Sequence, residues 1–440
     1  MLARRDAAEK FTTGRLGKGA PGSLVGTEFR LPSDPGVRVH EVQSFGLDVL
    51  IWGAVGIAAL LGHRLARLVR VPAPAIFLLV AAVLASEIKP VRDAVDLHTV
   101  VNLVTVALVV ILFDGGLHLG RRRFRAAATP IVLLGVFGTF ATTALIGLAA
   151  HGIFGLEWKV AFVLGAALAP TDPAVVFAVL ANKEIAGRTS AILEGESGFN
   201  DPAGIALLLG FVQIATHANS SLLNVFVSFA VEMSVGAAIG VVGGLAMKWL
   251  LSNREPLMAS QQPIRALASV LFIYGIATIA HGSGFLAVLI AGIVMGDEER
   301  RHGPAVERFH STLANLGEIV AFVLLGLSIR LHSLGAEWAW LIGIGLAVLI
   351  AFVLRPVACL PLLARADLHR REKAFIAWAG LKGAVPILLG ALAVTGGVPD
   401  ATRLYAIVFV VVAISVVAQG GSLAFVARKL GIEMHEAGTT

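Results

Sequence analysis

The sequence predicts an all-α polytopic membrane protein of about 13 transmembrane helices, arranged as two inverted repeats with paired broken helices. The first observation is composition: 57% of the 440 residues are hydrophobic and only 15% charged, with a mean hydropathy of +0.84. A soluble globular domain is about 45–50% apolar and about 25% charged. The second is spacing, because the excess falls in blocks of about 20 residues, the length that crosses a hydrocarbon core of about 30 Å. The third is that two of these blocks are interrupted by proline and glycine at corresponding places. Alternating ten-residue strands are missing, which argues against an outer-membrane barrel.

Residues 1–45 differ in kind. They are polar, rich in Gly and Pro, and lack an apolar run of signal-peptide length. They read as a disordered tail, or as sequence preceding a natural start downstream of Met1. Thirteen apolar spans come after them, at 46–62, 71–86, 98–118, 126–150, 158–181, 190–215, 222–251, 263–281, 284–296, 307–328, 337–364, 372–395 and 402–427. Residues 46–427 thus form one transmembrane domain, and 428–440 a short tail. The single cysteine, Cys359, lies in an apolar block, so no internal disulfide forms and redox chemistry is not expected.

Lys and Arg in the connecting segments set the orientation. Segments after odd-numbered spans, with the C-terminus, hold 21; the opposite segments hold 5, namely Lys89, Arg92, Lys159, Arg330 and Arg403. The C-terminus is therefore expected in the cytoplasm and the N-terminus outside, in the inner (cytoplasmic) membrane. The basic residues serve this topology, so the net charge of +6 gives no reason to expect nucleic acid as a partner; the chain's surroundings are lipid.

Span five is broken at Ala169-Pro170-Thr171-Asp172-Pro173, and span twelve at Gly380-Leu381-Lys382-Gly383-Ala384-Val385-Pro386. Proline removes a backbone donor and frees carbonyls, and unwound backbone at membrane depth needs protein or a polar cavity to receive it. The breaks lie seven spans apart, and an odd offset inverts one repeat on the other. Paired broken helices in two inverted halves mark the binding site of a secondary transporter.

Charges inside the spans sharpen this reading, because each costs roughly 2.5–3.5 kcal/mol at the membrane centre and needs a partner or a task. They are Asp114, Asp172, Glu194, Glu196, Asp201, Glu232, Glu318, Arg355 and Lys382. On span six, Ser197 and Asp201 share a helical face with Glu194 a turn earlier, and Glu196 and Asn200 form the neighbouring stripe. Pro202 would free the Gly198 carbonyl. If Asp172 and its break face this stripe, the oxygen-only donor set suits a hard cation; no clustered Cys or His suggests zinc or copper. A carboxylate in a dry site can hold a proton near neutral pH, and a cation needs the same oxygens deprotonated. Cation and proton then exclude each other, with Asp201 as the shared site.

The remaining charges have duller readings. Glu196 has two candidate partners for a structural ion pair, Lys382 and Arg355. Asp172 serves either the helix ends or an ion, and Asp114 is either a cap or a cavity-lining residue. Glu194 reads as the first-turn residue of its span, near the interface. Glu232 and Glu318 sit in no legible motif, and Glu318 reads as a satisfied buried carboxyl.

At these residues the chain resembles the NhaP-like branch of the sodium/proton antiporter family, within the monovalent cation:proton antiporters. Glu196-Ser197-Gly198-Phe199-Asn200-Asp201 is similar to that branch's E-S-x-x-N-D signature, and APTDP at Ala169–Pro173 to its unwound-helix motif. FDGGL at Phe113–Leu117, GLKGAVP at Gly380–Pro386 and Arg355-Pro356 complete the resemblance, which runs over 46–427. It implies a homodimer in which dimerisation and core subdomains interleave in sequence and the core moves like an elevator. It implies a monovalent cation (Na⁺ or K⁺, with Li⁺ a further candidate) held by Asp201, Ser197 and the Thr171 carbonyl, helped by Asp114, Asp172 and Asn200. It also implies electroneutral exchange of one proton for one cation, serving pH and cation homeostasis, with no cofactor and no enzymatic activity. One carboxylate beside Asn200, in place of two, fits that stoichiometry. The resemblance further pairs Glu196 with the basic residue of the late broken helix, here Lys382 where arginine is more usual. The FDGGL motif resembles the potassium/proton subgroup, whose large cytoplasmic regulatory domain is not expected after 428–440.

Three rival classes fit less well. A cation channel would want pore rings or filter loops, not two inverted repeats about a central site. An intramembrane aspartyl protease would need paired catalytic aspartates, and neither Asp114 nor Asp201 sits in a G-x-G-D context. A carrier of organic anions would need a cationic site.

Overall fold

The computed structural model describes residues 72–88, 91, 96–173, 176, 183–185, 187–217, 220–251, 261–302 and 305–436, with 46, 53, 57 and 62 as isolated positions upstream. The chain divides into two compact units, Met1–Ile57 and Ala58–Thr440, and the second holds the helical bundle. The tail 1–45 and nearly all of span 46–62 lie outside the described residues.

Each later span corresponds to helix. The first is α1, Ala73–Glu87, which carries proline in its first turn, where a missing N–H leaves no bond unmade. Spans three and four are carried by α2, Leu97–Val132, a π-turn at Leu133–Gly138, and α3, Thr139–Gly152. Asp96 caps α2, its side chain accepting the His98 and Thr99 N–H groups. The segment 121–125, expected as a connecting loop, is helical; the chain breaks instead at Gly120, whose φ of 56° is strained for any residue with a Cβ. Its neighbourhood explains the second glycine of the FDGGL motif, Gly116. A Cβ on Gly116 would strike the Leu289 carbonyl, and one on Gly292 would lie 3.0 Å from the Gly116 Cα. Two helices approach this closely only through small residues.

Span five begins as α4, Trp158–Leu168, and stops at the Pro170-Thr171-Asp172 break; Pro173 is helical again, and of 174–182 only Val176 is described. Spans six to ten are α5 (Gly187–Thr216), α6 (Leu222–Leu251), α7 (Gln262–Ile279), α8 (Gly284–His302) and α9 (Ala305–Leu327). Span eleven is α10 (Ala339–Leu349), a π-turn at Ile350–Leu354, and α11 (Arg355–Leu362). Span twelve is α12 (Arg370–Trp378) and α13 (Ala384–Thr395), separated by the second break. Span thirteen is α14 (Ala401–Ile414), a π-turn at Ser415–Gly420, and α15 (Gly421–Leu430).

Burial sorts these helices into centre and rim. The most apolar window of α5 is 72% buried, that of α6 and of α7 only 22%. The rim exposes Leu223, Phe226 and Trp249 on α6, and Phe272 and Ile279 on α7. So wide an apolar surface belongs against lipid tails. The helix bearing the polar motif is thus central, and the motif itself is covered by protein.

The expected C-terminal tail contains an ordered element. Two short strands among the described residues, β1 (Lys183–Ile185) and β2 (Met434–Glu436), pair antiparallel with Glu184 opposite His435. Three-residue strands carry no usable periodicity, so nothing in the sequence pattern announces them.

Candidate ion-binding site

The two breaks meet. The Asp172 N–H donates to the Leu381 carbonyl at 2.8 Å, so the unwound stretch of span five is bonded to that of span twelve. Backbone freed by proline in one repeat is received by backbone freed in the other.

On one side of this crossing lies α5. Ser197 Oγ donates to the Thr171 carbonyl at 2.6 Å, Asn200 Nδ2 to Thr171 Oγ1 at 2.8 Å, and the Thr171 N–H to Asn200 Oδ1 at 3.3 Å. Thr171 is therefore held at its N–H, hydroxyl and carbonyl by residues one helical turn apart or less. Beside it, Asp201 is only 5% exposed, and its Oδ1 has no hydrogen-bond partner among the described residues. A buried acceptor left unmade is expensive, and Asp201 carries that cost in the middle of a stretch, 195–208, that is buried throughout. The Asp172 side chain rests against the Cα of Gly383, where any Cβ would overlap it. It acts electrostatically on Asp201.

On the other side lie the two buried cations, and they divide the work. Arg355 Nη2 donates to Glu196 Oε1 at 2.7 Å, joining α11 to α5. Gly380 makes room for this guanidinium, since a Cβ there would overlap it. Among the described residues Lys382 makes no such pair: its Nζ donates to the carbonyls of Ala169 and Pro170 at 3.0 and 3.1 Å. These are the carbonyls released by the first break, at the C-terminal, partially negative end of α4. The pairing of Glu196 that the resemblance places on the broken helix thus falls on Arg355, because Lys382 reaches across the crossing to backbone.

Two residues without a role in the sequence reading hold the second break. Ser415 Oγ accepts the Lys382 N–H at 2.9 Å and donates to Gln419 Oε1 at 3.0 Å, and Gln419 Nε2 donates to the Trp378 carbonyl at 2.6 Å. The signal is a lone Ser and a lone Gln within VVVAISVVAQGG.

Not every expected residue joins the cluster. Asp114 belongs to a separate group: its Oδ1 accepts from Ser311 Oγ at 2.8 Å, and His118 Nδ1 lies 3.5 Å from its Oδ2. Glu307 stands 3.7 Å from the other His118 nitrogen. Glu194 meets Arg123, which donates to both its oxygens at 2.9 and 3.0 Å, and Ser190 at 2.7 Å. Glu232 lies part-buried on α6. Glu318 on α9 departs from the satisfied carboxyl expected: its Oε1 is buried with no hydrogen-bond partner among the described residues.

Two broken helices bonded to each other, with a buried carboxylate beside them, define a secondary transporter of the inverted-repeat class. The family described as "Sodium/hydrogen exchanger, transmembrane" matches over residues 55–429, and the chain belongs to it; it is a transporter, an antiporter by family, and not an enzyme. Among curated relatives, the K(+)/H(+) antiporter NhaP of Alkalimonas amylolytica is 32% identical over 396 residues, 89% of this chain and 68% of that protein. The K(+)/H(+) antiporter NhaP2 of Shewanella oneidensis is 33% identical over 397 residues, with the same shares. The Na(+)/H(+) antiporter NhaH of Halobacillus aidingensis is 26% identical over 417 residues, 90% of this chain and all of that protein. Among solved structures, the sodium proton antiporter MjNhaP1 of Methanocaldococcus jannaschii at pH 8 superposes with a TM-score of 0.72 at 21% identity. It covers 88% of this chain and 99% of that one. That likeness establishes the fold, and family and fold together leave no support for the channel reading.

Proposed function

We propose that the protein exchanges one monovalent cation for one proton, electroneutrally, across the cytoplasmic membrane, with Asp201 as the group that both compete for. The observation that carries this is the buried Asp201 Oδ1 without a partner among the described residues, beside the Thr171 carbonyl and the Ser197 hydroxyl. A cation at Asp201 would take those two oxygens as further ligands once the Ser197 O–H turns from the carbonyl. Asp172 adds negative charge from the broken helix. Asn200 shapes the unwound stretch through its two bonds to Thr171, and as an amide it adds no second proton carrier. Asp114, held with Ser311 and His118, lies on the path to the site. Glu196–Arg355 and Lys382 fasten the second repeat to the first. With the Asp201 carboxylate either protonated or cation-loaded, only neutral-sum forms cross, by an elevator-like movement of the core within a homodimer.

The K(+)/H(+) names of the relatives at 32% and 33% identity favour potassium over sodium. Orientation follows the distribution of basic residues, with the C-terminus in the cytoplasm. The test is a pH-sensitive dye inside proteoliposomes under an imposed proton gradient, with K⁺, Na⁺ or Li⁺ added in turn. Dye recovery on adding one cation, with the same rate when potassium and valinomycin fix the voltage, is the expected result. A rate that tracks the fixed voltage contradicts electroneutrality, and no recovery with any cation contradicts exchange.

A further inference from the structure

Glu318 has no place in the exchange mechanism above, yet its surroundings resemble those of Asp201. Both have a buried carboxyl oxygen without a partner among the described residues. Both feel the same third carboxyl: Asp172, at the first break, acts electrostatically on Asp201 and on Glu318. Glu318 stands on α9, a helix that packs against α2, the carrier of Asp114, and against α13, which comes after the second break. Ser311, which holds Asp114, is seven residues before Glu318 on the same stripe of α9, roughly 10 Å along the axis.

These acids run from exposed to buried. Glu307 is 45% exposed and Asp114 15%, Glu318 is part-buried like Asp114 but with its Oε1 covered, and Asp201 is 5% exposed. Carboxylates exposed at one end of a set and buried at the other suit a cation that sheds its water in steps, each oxygen replacing part of the hydration shell. A buried carboxyl whose only purpose was packing would have its oxygens bonded.

We propose that Glu318 is a further cation ligand, a transit carboxylate that receives the monovalent cation from the Asp114 side and passes it to Asp172 and Asp201. The proposal rests on the exchange reading above. Loss of its charge leaves the final site intact and weakens loading, so the concentration of cation needed rises while the maximal rate changes little.

The test measures initial exchange rates in proteoliposomes against K⁺ and Na⁺ concentration, choline keeping ionic strength constant, for wild type, Glu318→Gln and Glu318→Asp. The expected result is an apparent KM raised at least fivefold in Glu318→Gln, a maximal rate within twofold of wild type, and a KM restored toward wild type in Glu318→Asp. A KM within twofold of wild type in Glu318→Gln overturns the proposal. So does a fall in maximal rate alone, or failure of both variants to fold as judged by gel filtration in detergent, since each makes the carboxyl a structural one. Absence of exchange in wild type overturns the exchange reading itself, a different outcome from a working wild type with an indifferent Glu318.

Discussion

Glu196 on α5 and Arg355 on α11 meet at 2.7 Å, each only 2% exposed, while the nearby Lys382 donates to backbone instead. Removing one member of a buried pair strands the other charge and costs about 3–5 kcal/mol. Glu196→Gln and Arg355→Met are therefore each expected to lower thermal stability in detergent by about that amount. A double-mutant cycle is expected to give a larger coupling for Glu196 with Arg355 than for Glu196 with Lys382. Equal couplings would mean that the two cations share the carboxylate.

Lys382 should matter through backbone. Lys382→Met leaves the Ala169 and Pro170 carbonyls without their donor, at about 1–3 kcal/mol for each buried group left unmade. Lys382→Gln retains an amide donor and is expected to lose less. Thermal unfolding of the two variants side by side checks the order; equal losses would point to charge in place of hydrogen bonding.

How far the sequence foretells this site depends on the physical origin of each feature. The two breaks are legible because proline and glycine inside apolar spans act locally. The grouping of Ser197, Asn200 and Asp201 is legible because helical periodicity puts them on adjoining faces. The partner of Glu196 is not, since two basic residues compete for it and linear order holds no distances. Lys382 is harder still, because its acceptors are carbonyls, and every residue has one. Gly120 is hidden by the arginines after it: a basic run reads as a loop, while the chain keeps those residues helical and turns one position earlier. Glu318 departs from its expected reading because burial of a carboxyl does not by itself supply partners for its oxygens.

Gly383 gives a steric test of the crossing. Gly383→Ala places a methyl on the Asp172 carboxylate, and overpacking of this kind costs about 1–3 kcal/mol. Exchange is expected to fall by about tenfold or more, on the order of the penalty for displacing a reacting group by an ångström. Gly275→Ala on α7, where a Cβ meets nothing within 4 Å, serves as the control and is expected to be neutral or stabilising by up to about 1 kcal/mol. Equal exchange in both variants would mean that Asp172 does not sit against Gly383.

The strand pair is open to cross-linking. Opposed residues in an antiparallel pair have Cα atoms about 4.5–5.5 Å apart, within the range a disulfide spans. With Cys359 replaced by Ser, Glu184→Cys and His435→Cys together are expected to oxidise to an intramolecular disulfide, detected by mass spectrometry after proteolysis. A pair out of register, Glu184→Cys with Glu433→Cys, is expected not to.

Competition between cation and proton for Asp201 is the heart of the proposed mechanism. It is put to the test by comparing the cation-driven pH change in proteoliposomes of wild type and Asp201→Asn, with Glu194→Gln as a carboxyl outside the site. Recovery of the dye signal is expected in wild type and Glu194→Gln, and none in Asp201→Asn at any cation concentration. An equal response from wild type and Asp201→Asn would remove Asp201 from the mechanism and leave the exchange without its shared site.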